Sequence, residues 1–589
     1  MYGLILLPVF LPEIAVIILL VSSFCEHLGG EKKKTNLFIK IGAAVKRSGL
    51  ADSDKIREKN KKKELKRRTQ KEGPKENYAG KDQPVMLPSV QRVGRQVSEK
   101  SRAIAGKVQV KAKNQLQSQI LRTEEERLGI HIFTGIVLIV SALLALIAAW
   151  TGDKSVTLFY LMKDIPVYFH IDAIGSLFVT IVTIVWVLAG IYAFVYMEHE
   201  GEEKRFFGFY LVVYAVLVAL DFSGNLVTMY LFYELMTLTS MPLVLHNGSR
   251  EAIMAALKYL FYSMCGAYLG LFGIFFLSQY CDTLNFTAGG SLNLALVGEH
   301  QTVLLIAVFA MLIGFGAKAG MFPLHAWLPA AHPVAPSPAS AVLSGIIVKS
   351  GVLAIIRVVY YMVGADFLRG TWVQTAWMTL TLLTVFMGSM LAYREKVLKK
   401  RLAYSTVSQI SYILFGLSVL SPTAFTGALL HTVCHAFIKT ALFLTAGIFM
   451  FQCNKTRVDE LSGIGKQMPK TLWCYTIVSL GLIGIPPMSG FISKWYLAEG
   501  ALEAGAGVFG WLGPVILLIS AFLTAGYLLP ITMKGFFPGK EADGAGIIKK
   551  EPSCAMLIPL IIFAALTILL GIFPGPLADY ASRIAAAVM

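Results

Sequence analysis

Runs of about twenty apolar residues recur along this chain, and nothing else in it narrows the fold so far. A helix needs about 20 such residues to cross the hydrocarbon core of a bilayer. Inside that core every backbone N–H and C=O must be bonded within the protein, so open sheets and lipid-facing loops are excluded. The sequence holds about 14 candidate runs: near 2–24, 130–150, 172–197, 207–221, 223–245, 252–278, 302–330, 338–363, 373–392, 401–420, 423–451, 471–497, 508–534 and 555–575. The composition agrees, with 56% hydrophobic and 15% charged residues against about 25% charged in soluble domains. The expectation is an all-α polytopic membrane protein.

The first run could pass for a signal peptide, but it lacks a basic start and has a weak cleavage site. It reads as a retained helix with its N-terminus outside. Residues 26–128 then break the pattern. They hold 27 Lys/Arg and 13 Asp/Glu, so +14 of the net +17 lies here. Such a segment cannot bury enough apolar surface to fold alone. The lysines just after the first helix, Lys32, Lys33 and Lys34, place the insert in the cytoplasm by the positive-inside rule. It reads either as a disordered loop that fixes orientation or as a segment touching anionic lipid, with 37–50 as a short amphipathic helix. Nucleic acid is not expected as a partner, because only Phe38 and Tyr78 interleave with the basic residues, too few for a stacking platform. The seven cysteines are scattered, with no CxxC, and no Walker loop or HExxH occurs. No metal site and no cofactor is expected in this chain.

Ionisable residues inside the apolar runs are the functional signal. A charge at bilayer depth costs about 2.5–3.5 kcal/mol on insertion scales, so Lys318 and Lys349 call for a wet cavity or an acid. Glu234, in a neighbouring run, supplies one. A lysine whose contact with an acid can be made and broken has two proton affinities, which is what a proton pump requires. Moving one proton against 100 mV costs about 2.3 kcal/mol, and a shift of about two pKa units supplies a similar amount. Just beyond Lys318, prolines crowd the stretch 323–338, including Pro323 and Pro329, and the other half of the chain has Pro486 and Pro487 followed by Lys494. Proline breaks a helix, and paired broken helices in two halves mark transporters with inverted repeats. The bland alternative is two unrelated kinks with a snorkelling Lys494. Between them, His431, His435 and Lys439 are spaced i, i+4, i+8, on one helix face. They read as a proton relay or as hydrogen-bonded core residues, with Lys349 as a step towards them. His325, His332, Tyr404, Ser408 and Gln409 could line water or bond neighbouring helices.

The strings YELMTLTSMPLV, GFGAKAGMFPLHAWLPAAHPVAPSPASAVLSG, RLAYSTVSQISYILFG, HTVCHAFIKTALF and GIPPMSGFISKWYL resemble the antiporter-like subunits of respiratory complex I, Mrp cation/proton antiporters and membrane-bound hydrogenases. The likeness covers most of residues 165–535, and the region after Lys318 is most similar to the hydrogenase, formate-hydrogenlyase and Mrp branch. The resemblance implies 14 helices with two inverted five-helix repeats. The corresponding division is 1–25 first helix, 26–128 insert, 129–205 helices two and three, 206–365 first repeat, 366–535 second repeat, and 536–589 loop and last helix. It implies a gating pair of Glu234 and Lys318, a central relay at Lys349, the connecting column His431, His435 and Lys439, and a terminal Lys494. It further implies other multi-span subunits and hydrophilic iron–sulfur subunits as partners, with protons, and in some members Na+, as the transported ions. The setting it implies is a prokaryotic cell membrane. Two departures stand out: the basic insert is outside the family pattern, and no long lateral helix is expected after the last span. A cation/proton antiporter without a redox partner and an inert scaffold are the rival readings.

Overall fold

The computed structural model describes residues 5–15, 124–152, 154–162, 165–539 and 550–589. The chain divides into two units, residues 1–17 with 131–589, and residues 18–130. Of the second unit the described residues are 124–130. The basic insert therefore lies outside the described residues, except for its last five, which begin a helix.

In chain order the elements are α1 (Ile5–Ala15), α2 (Glu124–Trp150), the hairpin β1 (Lys154–Met162) and β2 (Ile165–Ile171), α3 (Ala173–Glu200), α4 (Glu203–Asp221), α5 (Leu226–Val244), α6 (Arg250–Tyr280), α7 (Gln301–Ala319) and α8 (Leu328–Val334). Then come α9 (Ser337–Val363), α10 (Trp372–Arg394), α11 (Leu398–Ser418), α12 (Pro422–Cys453), α13 (Pro469–Ile483), α14 (Ser489–Glu503), α15 (Val508–Phe536), α16 (Cys554–Ile572) and α17 (Gly575–Val588). Among the described residues, nine helices are long and apolar enough to cross a bilayer on their own. The runs expected near 207–221, 223–245, 401–420 and 471–497 are helical too, as α4, α5, α11 and the α13/α14 pair. These are charged, polar or interrupted, as befits helices that line a polar interior rather than face lipid.

Burial follows the same division. Every residue of α9 and every residue from 424 to 449 of α12 is buried. Helices α2, α6 and α15 instead turn large apolar side chains such as Ile136, Phe261, Phe275, Trp511 and Phe522 outward. Within α9 the backbone widens to i→i+5 turns at Leu343–Ile347 and Arg357–Val363, on either side of a regular stretch that carries Lys349. Widened turns of this kind are frequent at functional sites.

The apolar pattern foresaw neither α17, beyond the last run, nor the hairpin. Strand β1 pairs antiparallel with β2, Lys154 opposite Ile171 and Met162 opposite Ile165. Strand β2 docks on the turn between α4 and α5: His170 N donates to Phe222 O at 2.9 Å and Gly224 N to Tyr168 O at 2.9 Å. A Cβ at Gly224 would lie 2.5 Å from the Tyr168 ring, so this approach needs glycine. Asn225 closes the corner, its amide donating to Pro166 O at 2.9 Å and its carbonyl accepting from Thr228 N at 2.7 Å to cap α5.

Candidate functional site

The first break follows α7. The helix stops at Gly320, whose φ of 80° suits glycine, and the chain runs irregularly through Pro323 to α8, which contains Pro329. Trp327 Nε1 recovers one freed carbonyl by donating to Ala317 O at 2.8 Å. Lys318 sits in the last turn of α7 and is fully buried. Its Nζ donates to Tyr259 OH at 2.6 Å, Thr237 Oγ1 at 2.9 Å and Ser263 Oγ at 3.4 Å, and lies 4.4 Å from the Tyr259 ring centre. Two of these hydroxyls come from α6, which packs on α7 through glycines: a Cβ at Gly314 would come within 2.3 Å of Gly266 O. Small residues of this kind let membrane helices approach backbone to backbone. Glu234 is three residues before Thr237 on α5, half-buried, with Tyr230 OH 3.4 Å from its Oε1. The pair expected from the sequence is thus on adjoining elements, Lys318 reaching Thr237 one turn from Glu234. Among the described residues no ion pair joins the two, and hydroxyls hold the ammonium instead.

The second break separates α13 from α14 around Pro486 and Pro487. Here Lys494 Nζ donates to two carbonyls released by the break, Leu482 O at 2.6 Å and Ile483 O at 2.9 Å, and lies 5.1 Å from the Tyr412 ring centre.

Between the breaks the structure joins three of the expected residues directly. Lys349 Nζ is 2.7 Å from His435 Nδ1 and donates to Ser344 O at 3.1 Å. The rings of His435 and His431 are 6.0 Å apart and stacked. His431 Nδ1 is 2.9 Å from Ser493 Oγ, beside Lys494, and its ring stacks on Tyr412 at 5.5 Å. The Nε2 atoms of both histidines have no protein partner. The chain therefore runs Lys349, His435, His431, then Ser493 and Tyr412 next to Lys494. Lys439 leaves this line. Its Nζ donates to Ser405 Oγ at 2.6 Å and Leu402 O at 3.1 Å on α11, with Tyr527 OH also 2.6 Å from Ser405 Oγ. Among the described residues no hydrogen bond links Lys318 to Lys349.

The secondary polar candidates separate. His332 is fully buried, stacked on Phe443 at 4.5 Å, with both ring nitrogens unpartnered in the protein. His325 is half-buried in the first break, beside Phe322. Ser408 bonds Ser389 at 2.8 Å and Ser520 at 3.2 Å, a seam joining α10, α11 and α15. Gln409 is buried on α11 and Tyr404 half-buried.

Sequence reasoning missed other buried charges. Arg357 on α9 pairs through both guanidinium nitrogens with Asp172, which also accepts from Gly175 N at 2.9 Å to cap α3. Lys399, fully inside the first turn of α11, donates to Ala335 O at 2.9 Å. Arg357 lies within an apolar run, so the rule that singled out Lys318 and Lys349 could have found it. Among the described residues, no group of three or more His, Cys, Asp or Glu is placed to hold a metal ion.

The site is thus a buried line of amines and imidazoles between two broken helices. Residues 223–524 match the family described as NADH:quinone oxidoreductase/Mrp antiporter, transmembrane, and residues 162–207 match the N-terminus of NADH-ubiquinone oxidoreductase (complex I) chain 5. The chain belongs to this family. It is 32% identical over 416 residues to NADH-quinone oxidoreductase subunit N of Desulforudis audaxviator, covering 68% of this chain and 81% of that protein. It is 30% identical over 439 residues to hydrogenase-4 component B of Escherichia coli, covering 71% of this chain and 64% of that one. Among solved structures, a chain of the Mrp complex of a Dietzia species superposes with a TM-score of 0.67 at 22% identity, over 80% of this chain and 95% of its own.

Proposed function

We propose that this chain is a proton-translocating, antiporter-like subunit of a membrane-bound oxidoreductase complex of the hydrogenase or NADH/quinone type. Redox chemistry in partner subunits would change the charge near Glu234 and Lys318, and the proton would pass along Lys349, His435 and His431 towards Lys494. The observation that carries this reading is the direct Lys349–His435 contact at 2.7 Å, which continues through stacked imidazoles to the second break. An amine in contact with an imidazole whose other nitrogen is open can hand on a proton through water. The chain holds no cofactor of its own in this reading. Its partners are other multi-span subunits and hydrophilic iron–sulfur subunits.

The basic residues of the turns support an orientation. Arg205, Arg250, Lys396, Lys400, Lys455 and Lys470 lie at the bundle end away from the hairpin, whereas the hairpin end carries Lys154, Arg369 and Arg583. The positive-inside rule then puts the hairpin outside, the insert in the cytoplasm and the N-terminus outside, in a prokaryotic cell membrane. A Na+/H+ antiporter subunit without redox partner is the second reading, favoured by the likeness to the Mrp fold. One experiment separates them. The complex is tagged on this chain, purified gently, its partners identified, and proton uptake followed in inverted vesicles. Co-purifying iron–sulfur subunits and uptake driven by hydrogen, formate or NADH are expected. Small multi-span partners alone, with uptake driven only by an imposed Na+ gradient, would replace the first reading by the second.

A further inference from the structure

One buried carboxylate has no place in the line of amines and imidazoles. Asp221 ends α4, is 2% exposed, and its Oδ2 has no hydrogen-bond partner in the protein. An unpartnered buried carboxylate oxygen is costly, and persists where a water or a function uses it. Asp221 borders a small cavity whose wall also includes Lys349, Ser350 and Thr432 among apolar residues such as Val182. The space suits about one water. The central lysine and an unclaimed acid therefore border the same water-sized hole.

Beyond Asp221 lies a second charge step. Arg357 is eight residues past Lys349 on α9, about 12 Å along the axis, and its field reaches Asp221 while its nitrogens pair with Asp172. Asp172 is partly open at the hairpin end, its side chain 20% exposed. The ionisable groups around Asp221 are thus Lys349 and Arg357 on α9 and Tyr214 on α4, with Asp172 and His170 beyond Arg357. A carboxylate between a lysine that can release a proton and a guanidinium that cannot is placed to accept that proton and pass it outward.

Resting on the proton-translocating reading above, we infer that Asp221 is the proton acceptor linking Lys349 to the hairpin face of the bundle, through a water in the cavity they share. The step balances. One Nζ–H bond of the ammonium breaks, the water takes that proton and gives another to Asp221 Oδ2, and a charged pair becomes a neutral amine and a carboxylic acid. Release from Asp221 towards the hairpin face restores the carboxylate, and a proton arriving at Lys349 from the side of the first break resets the site. This gives the line an outlet at its middle, distinct from its end at Lys494.

The test compares Asp221→Asn, Asp221→Glu and Lys318→Ala in the assembled complex, by proton uptake in inverted vesicles and by infrared difference spectroscopy. For Asp221→Asn, uptake is expected to fall at least about tenfold, as for loss of a positioned proton carrier, with loss of a protonated-carboxyl band. Asp221→Glu should recover most of the uptake. Full uptake in Asp221→Asn, where Lys318→Ala abolishes it, would overturn this inference and leave the broader reading standing. Equal loss in both Asp221 variants with an unchanged carboxyl spectrum would also overturn it, by making the role structural. Full uptake in all three would remove the broader reading itself. If Asp221→Asn does not accumulate, Val182→Ile, which adds one methylene at the cavity wall, takes its place: slowed uptake is expected, and unchanged uptake would overturn the inference.

Discussion

The two broken helices present their lysines to opposite kinds of partner. At the first, Lys318 is enclosed by three hydroxyls from α5 and α6, with Glu234 one turn away. At the second, Lys494 is bound by the carbonyls that the break itself released. A hydroxyl accepts from an ammonium and can donate to a neutral amine, so the first cage serves both charge states of its lysine. A carbonyl only accepts and bonds an ammonium more strongly than a neutral amine, so the second setting favours the charged lysine. The same architectural device thus surrounds its lysine with hydroxyls in one half and with carbonyls in the other, and among the described residues Glu234 lies near the first lysine only.

The sharpest way to break this contrast is to remove each lysine in turn. Lys318→Ala is expected to lower proton uptake in inverted vesicles by about a hundredfold or more while the complex still assembles. Glu234→Gln should move in the same direction. Unchanged uptake in an assembled complex would leave the first break as scaffold. Lys494→Ala should instead show first in stability. Two buried carbonyls lose their donor, at about 1–3 kcal/mol each, read as a lowered Tm of the purified complex, with uptake reduced only several-fold. Loss of uptake as deep as for Lys318→Ala, at an unchanged Tm, would make the two lysines equivalent. The smallest effect is expected for Thr237→Val, which deletes one of the three oxygens around Lys318. The cost is about 1–2 kcal/mol of stability and a modest slowing of uptake, and an abolished uptake would show that the full cage is required.

The apolar runs revealed the helical class, and charge in the wrong place revealed Lys318, Lys349 and the histidines, because a buried ionisable group is conspicuous against a lipid-soluble background. Contacts were less legible. Periodicity put His431, His435 and Lys439 on one face but could not show that Lys439 turns to Ser405 while His435 turns to Lys349, since that depends on what α9 and α11 present there. The hydroxyl cage was invisible for a similar reason: Thr237, Tyr259 and Ser263 are unremarkable residues until glycine packing brings α6 onto α7. The hairpin was hidden because β1 and β2 are short and lie between apolar runs, and their docking depends on one glycine and one asparagine in a turn read only as a connection. Asp172 and Asp221 sit at helix ends, where carboxylates draw no notice, and only Arg357 and the cavity give them meaning.

Because every residue of α12 from 424 to 449 is enclosed, this helix has no side fit to meet lipid. A nascent α12 released singly into the bilayer would present Lys439 and two imidazoles to hydrocarbon. Its ammonium is satisfied by α11, which precedes it, but His431 finds its serine on α14, which follows. The surroundings of His431 are therefore complete only once the second broken helix has been made.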